Sequence, residues 1–401
     1  MKFTTCILNC FLFVCSSATA NECYLDLSFE KTFDYKDYQM QLQKNNIEKQ
    51  DNKYSLLPDI YLSTGQSAYN KSGFKSPEYS NAGIYISQSI FSGGRYFMAN
   101  KKLTLSDSLQ LLSLERSRIN YILSVYEKLL KRREIHSLLN FYKVKQDNAK
   151  MESKRLEYMF KHGQISEFEF NLKENISDNY KKNIKSLKNE LQQLEWALHK
   201  EHHLSQKFFD IIDSGVIKSC KKIDVISLMK KENAIELEEI KLGYNLEKSV
   251  YYPSVSLSLS LTPKKGGAIR DISIRDGNYG TSINLSIPLS GMFKLTSNKD
   301  RLLLNLSSSQ LNIDKKKLDL EKIKTDSLNK LNNSINELIS LRKQLLLNQK
   351  KVEYLKNQLY KSNGNIISYY NELDVLNELE RKKLSKENEI ELYKMHIFYI
   401  G

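Results

Sequence analysis

The residues whose spacing is best suited to chemistry are three histidines near the middle of the chain. His199, His202 and His203 lie at the helix spacings i, i+3 and i+4, which would place three imidazole rings on one helix face. Such a set could bind a metal. The interleaved Lys200 and Glu201 favour instead a solvated polar turn at a helix end. The sequence contains no nucleophile-elbow serine, no phosphate-binding glycine loop and no CxxC pair. We therefore expect no enzymatic activity, no cofactor and no metal.

Two cysteines are the next candidates for chemistry. Residues 1–20 predict a secretory signal peptide, because Lys2 precedes an apolar run and small residues end it at Ala20. Only Cys23 and Cys220 would remain after cleavage. An even pair of cysteines in an oxidising compartment favours a disulfide within the chain, with two separate thiols as the alternative.

A strictly alternating stretch predicts the element around which the chain is organised. In residues 254–262 each of Val255, Leu257, Leu259 and Leu261 is followed by serine or threonine, and residues 279–289 alternate in a similar way. A period of two is typical of β-strands with one apolar and one polar face. Either a transmembrane barrel or a soluble sandwich over a core fits this pattern locally. In a barrel, the polar face would line the lumen. The lumen candidates are Ser256, Ser258, Ser282 and Asn284.

The chain contains two similar halves. All five prolines lie in or beside residues 55–94 and 251–291, and the sequence around Pro58 matches that around Pro253 at an offset of 195. We interpret residues 21–221 and 222–401 as tandem structural repeats, each with one β-hairpin. No run outside the signal peptide approaches the roughly 20 apolar residues of a membrane-spanning helix. If the protein enters a membrane, it therefore does so by strands.

Each predicted hairpin is followed by a very long helical stretch. Residues 95–162 and 293–363 contain neither proline nor glycine, which predicts rods of roughly 100 Å. Leucine or valine recurs every seven residues from Leu331 to Leu359, and this repeat indicates a coiled-coil seam. Gly163 and Gly364 then break the two rods, and a returning helix follows each. Each glycine is predicted to lie at the tip of a helical hairpin.

This layout resembles the TolC-like outer-membrane factor family of Gram-negative bacteria, and the resemblance covers the mature chain. The motifs that carry it are LLPDIYL and YYPSVSL at the strand entries, QSIFSGGR and SIPLSGMF at the strand exits, and the two tips. The exit resembles the family's LF-x-GG pattern. The first copy keeps both glycines, whereas Ser290 replaces the first of them in the second copy. The tip candidates are Gly163, Gln164, Ile165, Gly364, Asn365 and Ile366.

The resemblance implies a mainly α fold with a β-barrel portion. It implies a long antiparallel coiled-coil α-barrel, four transmembrane strands per chain and a homotrimer that closes a 12-stranded barrel. It also implies tips that meet a periplasmic adaptor (membrane fusion protein), an inner-membrane transporter beyond it, and an entrance lined by acidic side chains after the second tip. Tyr370 holds the strict position of that gate, and Glu372 or Asp374 is reached by a small register shift.

Two function classes follow from these observations. The favoured one is an outer-membrane exit channel of a tripartite efflux pump or type I secretion system, embedded in outer-membrane lipid with a large periplasmic portion. The alternative is an exported, basic coiled-coil protein with an envelope-structural or adhesive role. The formal charge of +14 could suit nucleic acid, but lysine and glutamate alternate through the helical stretches. We therefore expect a solvated charged face and no nucleic-acid partner.

Overall fold

A computed structural model describes residues 23–65, 81–264, 269–289, 291–360 and 366–401. The predicted signal peptide, Ser290, and Gly364 and Asn365 of the second tip lie outside these residues. The described part contains eight α-helices and four β-strands. None of its helices has a stretch long and apolar enough to cross a membrane.

Helices of very different lengths alternate with four short strands along the chain. The helices are α1 (Asp26–Phe29), α2 (Phe33–Tyr54), α3 (Arg95–Lys161), α4 (Glu167–Lys200), α5 (Ser214–Ser219), α6 (Val225–Ser249), α7 (Gly291–Tyr360) and α8 (Ile366–Ile400). The strands are β1 (Asp59–Gly65), β2 (Asn81–Ser92), β3 (Ser254–Pro263) and β4 (Gly277–Ser286).

One order of elements occurs twice along the chain. Helix, strand, strand, long helix and returning helix follow one another as α2-β1-β2-α3-α4 and again as α6-β3-β4-α7-α8. The second hairpin ends at Ser286, three residues before the predicted end at Leu289. Pro288, which has no backbone N–H to donate to a strand ladder, accounts for the shorter strand. The interpretation of the two halves as tandem repeats stays a prediction.

The two long helices have the predicted length and seam. Helix α3 has 67 residues and α7 has 70, so each spans roughly 100 Å. Leu338, Leu345 and Val352 of the seven-residue repeat are buried, and α7 packs along α8. On the first hairpin, Ile184 of α4 packs in one cluster with Ile135 of α3. Each long helix therefore packs along its returning helix.

The largest core lies at mid-height, where the shorter helices meet the long one. We call this region the waist. Its buried side chains come from α1, α3, the segment after α4, α5, α6 and the end of α8. Its most deeply buried members are Leu25, Ile122, Val125, Tyr126, Leu198, Leu204, Ile217, Cys220, Leu228, Met395 and Tyr399. The short helices α1 and α5 that complete the waist had no clear signal in the sequence.

Aspartate side chains cap the N-termini of α5 and α6 in the waist. Asp213 accepts hydrogen bonds from the backbone N–H groups of Gly215 and Val216, each at 2.9 Å, and so caps α5. Asp224 accepts from the N–H of Ser227 at 2.6 Å and caps α6. Each cap satisfies N–H groups that have no partner inside the helix.

Candidate functional site

The four strands form one antiparallel sheet in the order β1-β2-β3-β4. The two hairpins therefore pair with each other through β2 and β3. Cross-strand partners place the large aliphatic side chains of all four strands on one face. That apolar face carries Ile60, Leu62, Ile84, Ile86, Val255, Leu257, Leu259, Leu261, Ile283 and Leu285.

The opposite face is polar, with small side chains on β3 and β4 and the stacked rings of Tyr61 and Tyr85 on β1 and β2. Ser258 lies opposite Ser87 on one side and Ser282 on the other, and Ser256 lies opposite Asn284. The structure thus brings the four lumen candidates of β3 and β4 together on one face. The Nδ2 group of Asn284 lies 3.4 Å from the Oγ atoms of both Ser258 and Ser282. This face can offer water hydrogen-bonding groups along the full height of the sheet.

An amide side chain lies on the apolar face, and the fold satisfies its donor group. Gln88 is opposite Leu257, in the aliphatic row. Its Nε2 group donates to the backbone oxygens of Leu56 at 2.8 Å and Ser89 at 3.2 Å. An amide whose donors are paired costs much less in an apolar medium than a free one. The glutamine is therefore compatible with an apolar surrounding.

A β-bulge changes the alternation near the end of β2. The register shifts between Ser89 and Phe91, so that Phe91 lies opposite Val255 on the apolar face. Ile90 is the extra residue of the bulge. Bulges add twist to the strand that carries them.

Nothing in the described chain covers the apolar face of the sheet. Ile283 is 72% exposed and Leu285 is 64% exposed. The outer strands β1 and β4 each have a single partner strand within the described sheet, which leaves two open edges. The sandwich alternative requires one face to be buried on a core. The described residues place no such core beneath the sheet.

The first tip is closed by a complete glycine cap. Gly163 has a left-handed backbone with φ 68°. Its N–H donates to the Phe160 carbonyl at 2.9 Å, and the N–H of Gln164 donates to the Met159 carbonyl at 2.8 Å. These two bonds define a Schellman motif, in which glycine avoids the steric cost of a side chain. Gln164 is exposed and Ile165 is half-buried.

The second tip is described only from Ile366, where α8 begins. The candidate gate residues follow within its first turns. Glu372 pairs with Lys351 of α7 at 2.6 Å, so this contact joins the two helices of one hairpin. Asp374 lies 3.7 Å from Lys145 of α3, so this contact joins the two hairpins. The ring of Tyr370 lies against that of its neighbour and forms no bond between helices in the described contacts.

The two acidic gate candidates differ in their electrostatic setting. Burial raises the pKa of the Asp374 carboxyl, against the opposing effect of Lys145. The Lys145 ammonium also lies 4.8 Å from the centre of the Phe141 ring. One turn later on α8, a hydrogen bond from Arg381 lowers the pKa of Glu378. Neighbouring carboxylates of one helix are thus shifted in opposite directions.

A disulfide joins two distant parts of the chain, before α1 and after α5, inside the waist. Cys23 and Cys220 are bonded, with their Cα atoms 4.7 Å apart. Beside the bond lies Arg118, which is 4% exposed. Its guanidinium donates to Asp26 at 2.6 Å and to the carbonyl of Cys220 at 2.9 Å. An arginine this deeply buried needs such partners, and they link α1, α3 and the end of α5.

The histidine cluster forms the end of α4. His203 takes a left-handed backbone conformation with φ 51°, and the N–H of Leu204 donates to the Leu198 carbonyl at 3.0 Å. The helix therefore stops at Lys200. His202 is packed rather than solvated: its carbonyl accepts from the Tyr121 hydroxyl at 2.6 Å, and burial is the main cause that lowers its pKa to about 4.

The described residues contain no cluster of histidine, cysteine and acidic side chains that could hold a metal ion. Several residues that organise the sites had no signal in the sequence. Lys145 and Arg118 lie on a 67-residue helix that is rich in charges, and only the three-dimensional structure separates the paired cations from the solvated ones.

Comparisons with known proteins were informative only at the level of structure. No protein-family profile matches the chain, and no curated protein matches it in sequence. A crystal structure of CusC, described with transmembrane channel formation, aligns at a TM-score of 0.72 and 12% identity over 94% of this chain and 91% of that one. The open MtrE outer membrane channel of Neisseria gonorrhoeae aligns at 0.70 and 11% identity, over 94% and 87% of the two chains. The outer membrane protein VceC of Vibrio cholerae aligns at 0.66 and 9% identity, over 94% and 95%.

The similarity extends over nearly the whole chain, which includes the sheet, the rods and the waist. Because the sequence identity is low, the similarity is evidence for the fold alone. With the sheet, the paired rods and the order of elements already described, it confirms the resemblance drawn from the sequence motifs: the chain has the fold of the TolC-like outer-membrane factors.

Proposed function

We propose that this chain is one subunit of a trimeric outer-membrane channel that passively conducts substrate from the periplasm to the exterior. It would serve a tripartite efflux pump or a type I secretion system and carry out no chemistry. Solved structures of the same fold are described as outer membrane channels, including CmeC of Campylobacter jejuni and MtrE.

The observation that carries this proposal is the sheet with an uncovered apolar face and two open edges. In hydrocarbon, each unpaired backbone group at an edge costs several kcal/mol, so β1 and β4 require partners. Barrels of this type need at least about eight strands, and one chain supplies four. Strands from several copies must therefore close one barrel. Three copies give the twelve strands that the fold relationship favours.

The polar face then becomes the wall of the exit path. A barrel of about twelve strands is wider than its side chains can fill, so its interior holds water. Ser256, Ser258, Ser282 and Asn284 would line that lumen, while Leu257 and Leu259 contact lipid. On β3 and β4 these side chains are small and uncharged, so this part of the wall would leave the path wide.

The tips would provide the contact with the rest of the machine. We propose that Gly163, Gln164 and Ile165 dock to a periplasmic adaptor, together with Gly364, Asn365 and Ile366 of the second tip. An inner-membrane transporter would act through that adaptor. Glu372 and Asp374, with Tyr370 nearby, are the proposed gate. The ion pair between Asp374 and Lys145 supports this role, because it ties one helical hairpin to the other.

An exported coiled-coil stalk is the second candidate function. The long rods and the charged surface would suit it. An apolar sheet face open to water would destabilise a soluble stalk against aggregation, because large exposed apolar patches promote association or membrane insertion. The sheet therefore favours the channel.

Two neighbouring positions on β3 provide a matched test. Leu259 lies on the apolar face and Ser258 on the polar face, so the substitutions Leu259→Arg and Ser258→Arg place one charge on each side of one strand. Leu259→Arg near the bilayer midplane should cost about 2–4 kcal/mol and prevent assembly. Ser258→Arg should still assemble as a trimer and change conductance and ion selectivity in planar bilayers.

Native mass measurement and single-channel recording read out both variants. Equal behaviour of the two variants would contradict the assigned faces. A monodisperse monomer for the parent chain in detergent would contradict the shared barrel itself.

A further inference from the structure

Basic side chains occur at all four places where a strand meets a helix. Lys53 ends α2 before β1, and Arg95 begins α3 after β2. Lys248 ends α6 before β3, and Lys294 lies in the first turn of α7 after β4. We call these four residues the junction collar. All four strand–helix connections therefore carry a cation within a few residues of the sheet.

Contacts between the junctions bring the collar to one level. The Nδ2 group of Asn52, beside Lys53, donates to the carbonyl of Tyr96, beside Arg95, at 3.1 Å. Gly93 lies against Ser249 and Tyr252 so closely that a Cβ atom there would be 2.7 Å from the Ser249 carbonyl oxygen. The ends of α2 and α6 and the start of α3 therefore meet directly beneath the sheet.

The fourth junction joins this level through α7. Arg301, two turns beyond Lys294, lies 3.9 Å from Glu247 at the end of α6. That contact also occupies the acidic side chain closest in sequence to Lys248. The four strand–helix junctions thus lie close together at the base of the sheet.

The collar cations lack acidic partners. In the described part of the chain, Lys53, Arg95 and Lys294 are exposed and form no ion pair. Exposed carboxylates are close in sequence as well, Glu48, Asp51 and Asp59 near Lys53 and Asp300 near Lys294. The register places Asp59 on the polar face of the sheet, opposite Ser87. In the described part of the chain, none of these carboxylates neutralises a collar cation through an ion pair.

Exposed aromatic rings lie beside the same cations. Phe97 is 75% exposed and Phe293 is 87% exposed, and Tyr54 is also exposed. The Lys248 ammonium lies 5.9 Å from the ring centre of Tyr252. Aromatic rings next to lysine and arginine, at the end of an apolar band, are typical of the boundary between hydrocarbon and lipid headgroups.

We infer that the junction collar binds the phosphate groups of anionic phospholipids in the leaflet that surrounds the base of the sheet. This inference rests on the proposed membrane-embedded channel. The occupant follows from continuity, because the collar begins where the lipid-facing apolar band ends, and from charge, because unpaired cations attract anionic headgroups. Each such cation near a membrane surface gives about a five-fold preference for an anionic lipid.

The experiment measures lipid selectivity at the protein boundary. The parent chain is reconstituted in phosphatidylcholine vesicles that contain spin-labelled phosphatidylglycerol or spin-labelled phosphatidylcholine. Electron paramagnetic resonance then gives the relative association constant of the two labelled lipids. We expect a several-fold preference for phosphatidylglycerol in the parent chain, reduced by high salt.

The test variant combines Lys53→Gln, Arg95→Gln and Lys294→Gln, and its preference should fall well below that of the parent chain, because Lys248 alone remains in the collar. A charge-retaining variant, with Lys53→Arg, Arg95→Lys and Lys294→Arg, should keep the preference. The matched control removes three equally exposed cations from the rods, far from the sheet. The control substitutions are Lys185→Gln, Lys188→Gln and Lys343→Gln.

The outcomes separate this inference from the proposed function. Equal association of the two lipids with the parent chain, or an equal loss of preference in the control variant, would overturn lipid binding by the collar while the channel stands. If neither labelled lipid shows a motionally restricted population, the chain does not contact the bilayer, and the proposed channel fails together with the collar.

Discussion

The waist and the sheet use the same kinds of side chain in opposite ways. In the waist, Ile122 and Tyr126 are buried by contacts from within one chain, and the disulfide and the Arg118 ion pairs close the same region. In the sheet, Ile283 and its apolar neighbours are uncovered, and both edges of the described sheet are open. The waist is covered by contacts within one chain, whereas no described residue covers the apolar face of the sheet.

This difference separates the waist, which stabilises the folded subunit, from the sheet, through which we propose that subunits assemble. Burial of apolar area within the chain stabilises the folded subunit in water, whether or not it assembles. Exposed apolar strands contribute only when lipid and other strands surround them. Variants at the two regions should therefore separate in their effects.

One substitution type placed in both regions gives the strongest contrast. Ile122→Ala removes a side chain that is 0% exposed, and we expect a loss of about 2–5 kcal/mol in the free energy of unfolding. Ile283→Ala removes the same atoms from the uncovered face and should change this free energy by less than about 0.5 kcal/mol in the unassembled chain. Denaturant unfolding of the unassembled chain, in the absence of detergent, measures both. Similar losses at the two positions would mean that the sheet face is covered within the subunit.

The disulfide tests the waist by another route. Replacing both cysteines, Cys23→Ser with Cys220→Ser, should lower the free energy of unfolding by about 2–4 kcal/mol. A thiol reductant should lower the unfolding midpoint of the parent chain and leave that of the double variant unchanged. If the reductant affects both equally, the effect does not come from this bond.

Substitutions at two glycines test whether the long helices are as stable at their tips as they are in the waist. Gly163→Ala forces a Cβ atom into a left-handed backbone and should cost about 1–2 kcal/mol locally, although no neighbouring atom is within 4 Å of that position. Gly243→Ala, within α6 and equally free of neighbours, should instead gain about 0.5–1 kcal/mol. Hydrogen exchange at the tip should quicken in the first variant alone. An unchanged tip would show that its glycine is replaceable.

The smallest effects concern two carboxylates one turn apart on α8. Burial raises the pKa of Asp374 above the ordinary 3.8, so the stabilising contribution of its proton is full below that value and is lost as the pH rises through the raised pKa. Arg381 lowers the pKa of Glu378 below 4.5, so its contribution is present above 4.5 and is lost as the pH falls through the lowered pKa.

The two neutral variants should therefore differ in sign at neutral pH. Asp374→Asn should leave stability unchanged or raise it, whereas Glu378→Gln should lower it, each by at most about 1 kcal/mol because both side chains are partly exposed to water. Unfolding curves at neutral and at mildly acidic pH check both variants. A loss of stability in Asp374→Asn at neutral pH would show that the ion pair with Lys145 outweighs the cost of burial.

The sequence predicted those features that repeat with a fixed period. Alternation at Leu257 and Leu259 indicated the strand and its two faces, and the seven-residue repeat through Leu338 and Leu345 indicated the seam of α7. Both patterns reflect local geometry, which any regular strand or helix repeats.

Features that depend on long-range contacts could not be predicted in the same way. Arg118 and Lys145 are two cations among many on one helix, and their partners lie 92 and 229 positions away in sequence. The bulge at Ile90 depends on pairing with β3, and the end of α4 depends on a histidine in a left-handed conformation. Periodicity contains no information on which distant side chain completes such a contact.

The bond between Cys23 and Cys220 makes a closed covalent ring that contains the first hairpin, its rod and the first tip. A protease that cuts once inside this ring leaves a molecule that migrates as one species on a non-reducing gel and separates only after reduction. A single cut at the second tip, outside the ring, would release α8 as a separate polypeptide. A cut at the first tip therefore leaves the subunit covalently in one piece, whereas a cut at the second tip divides it in two.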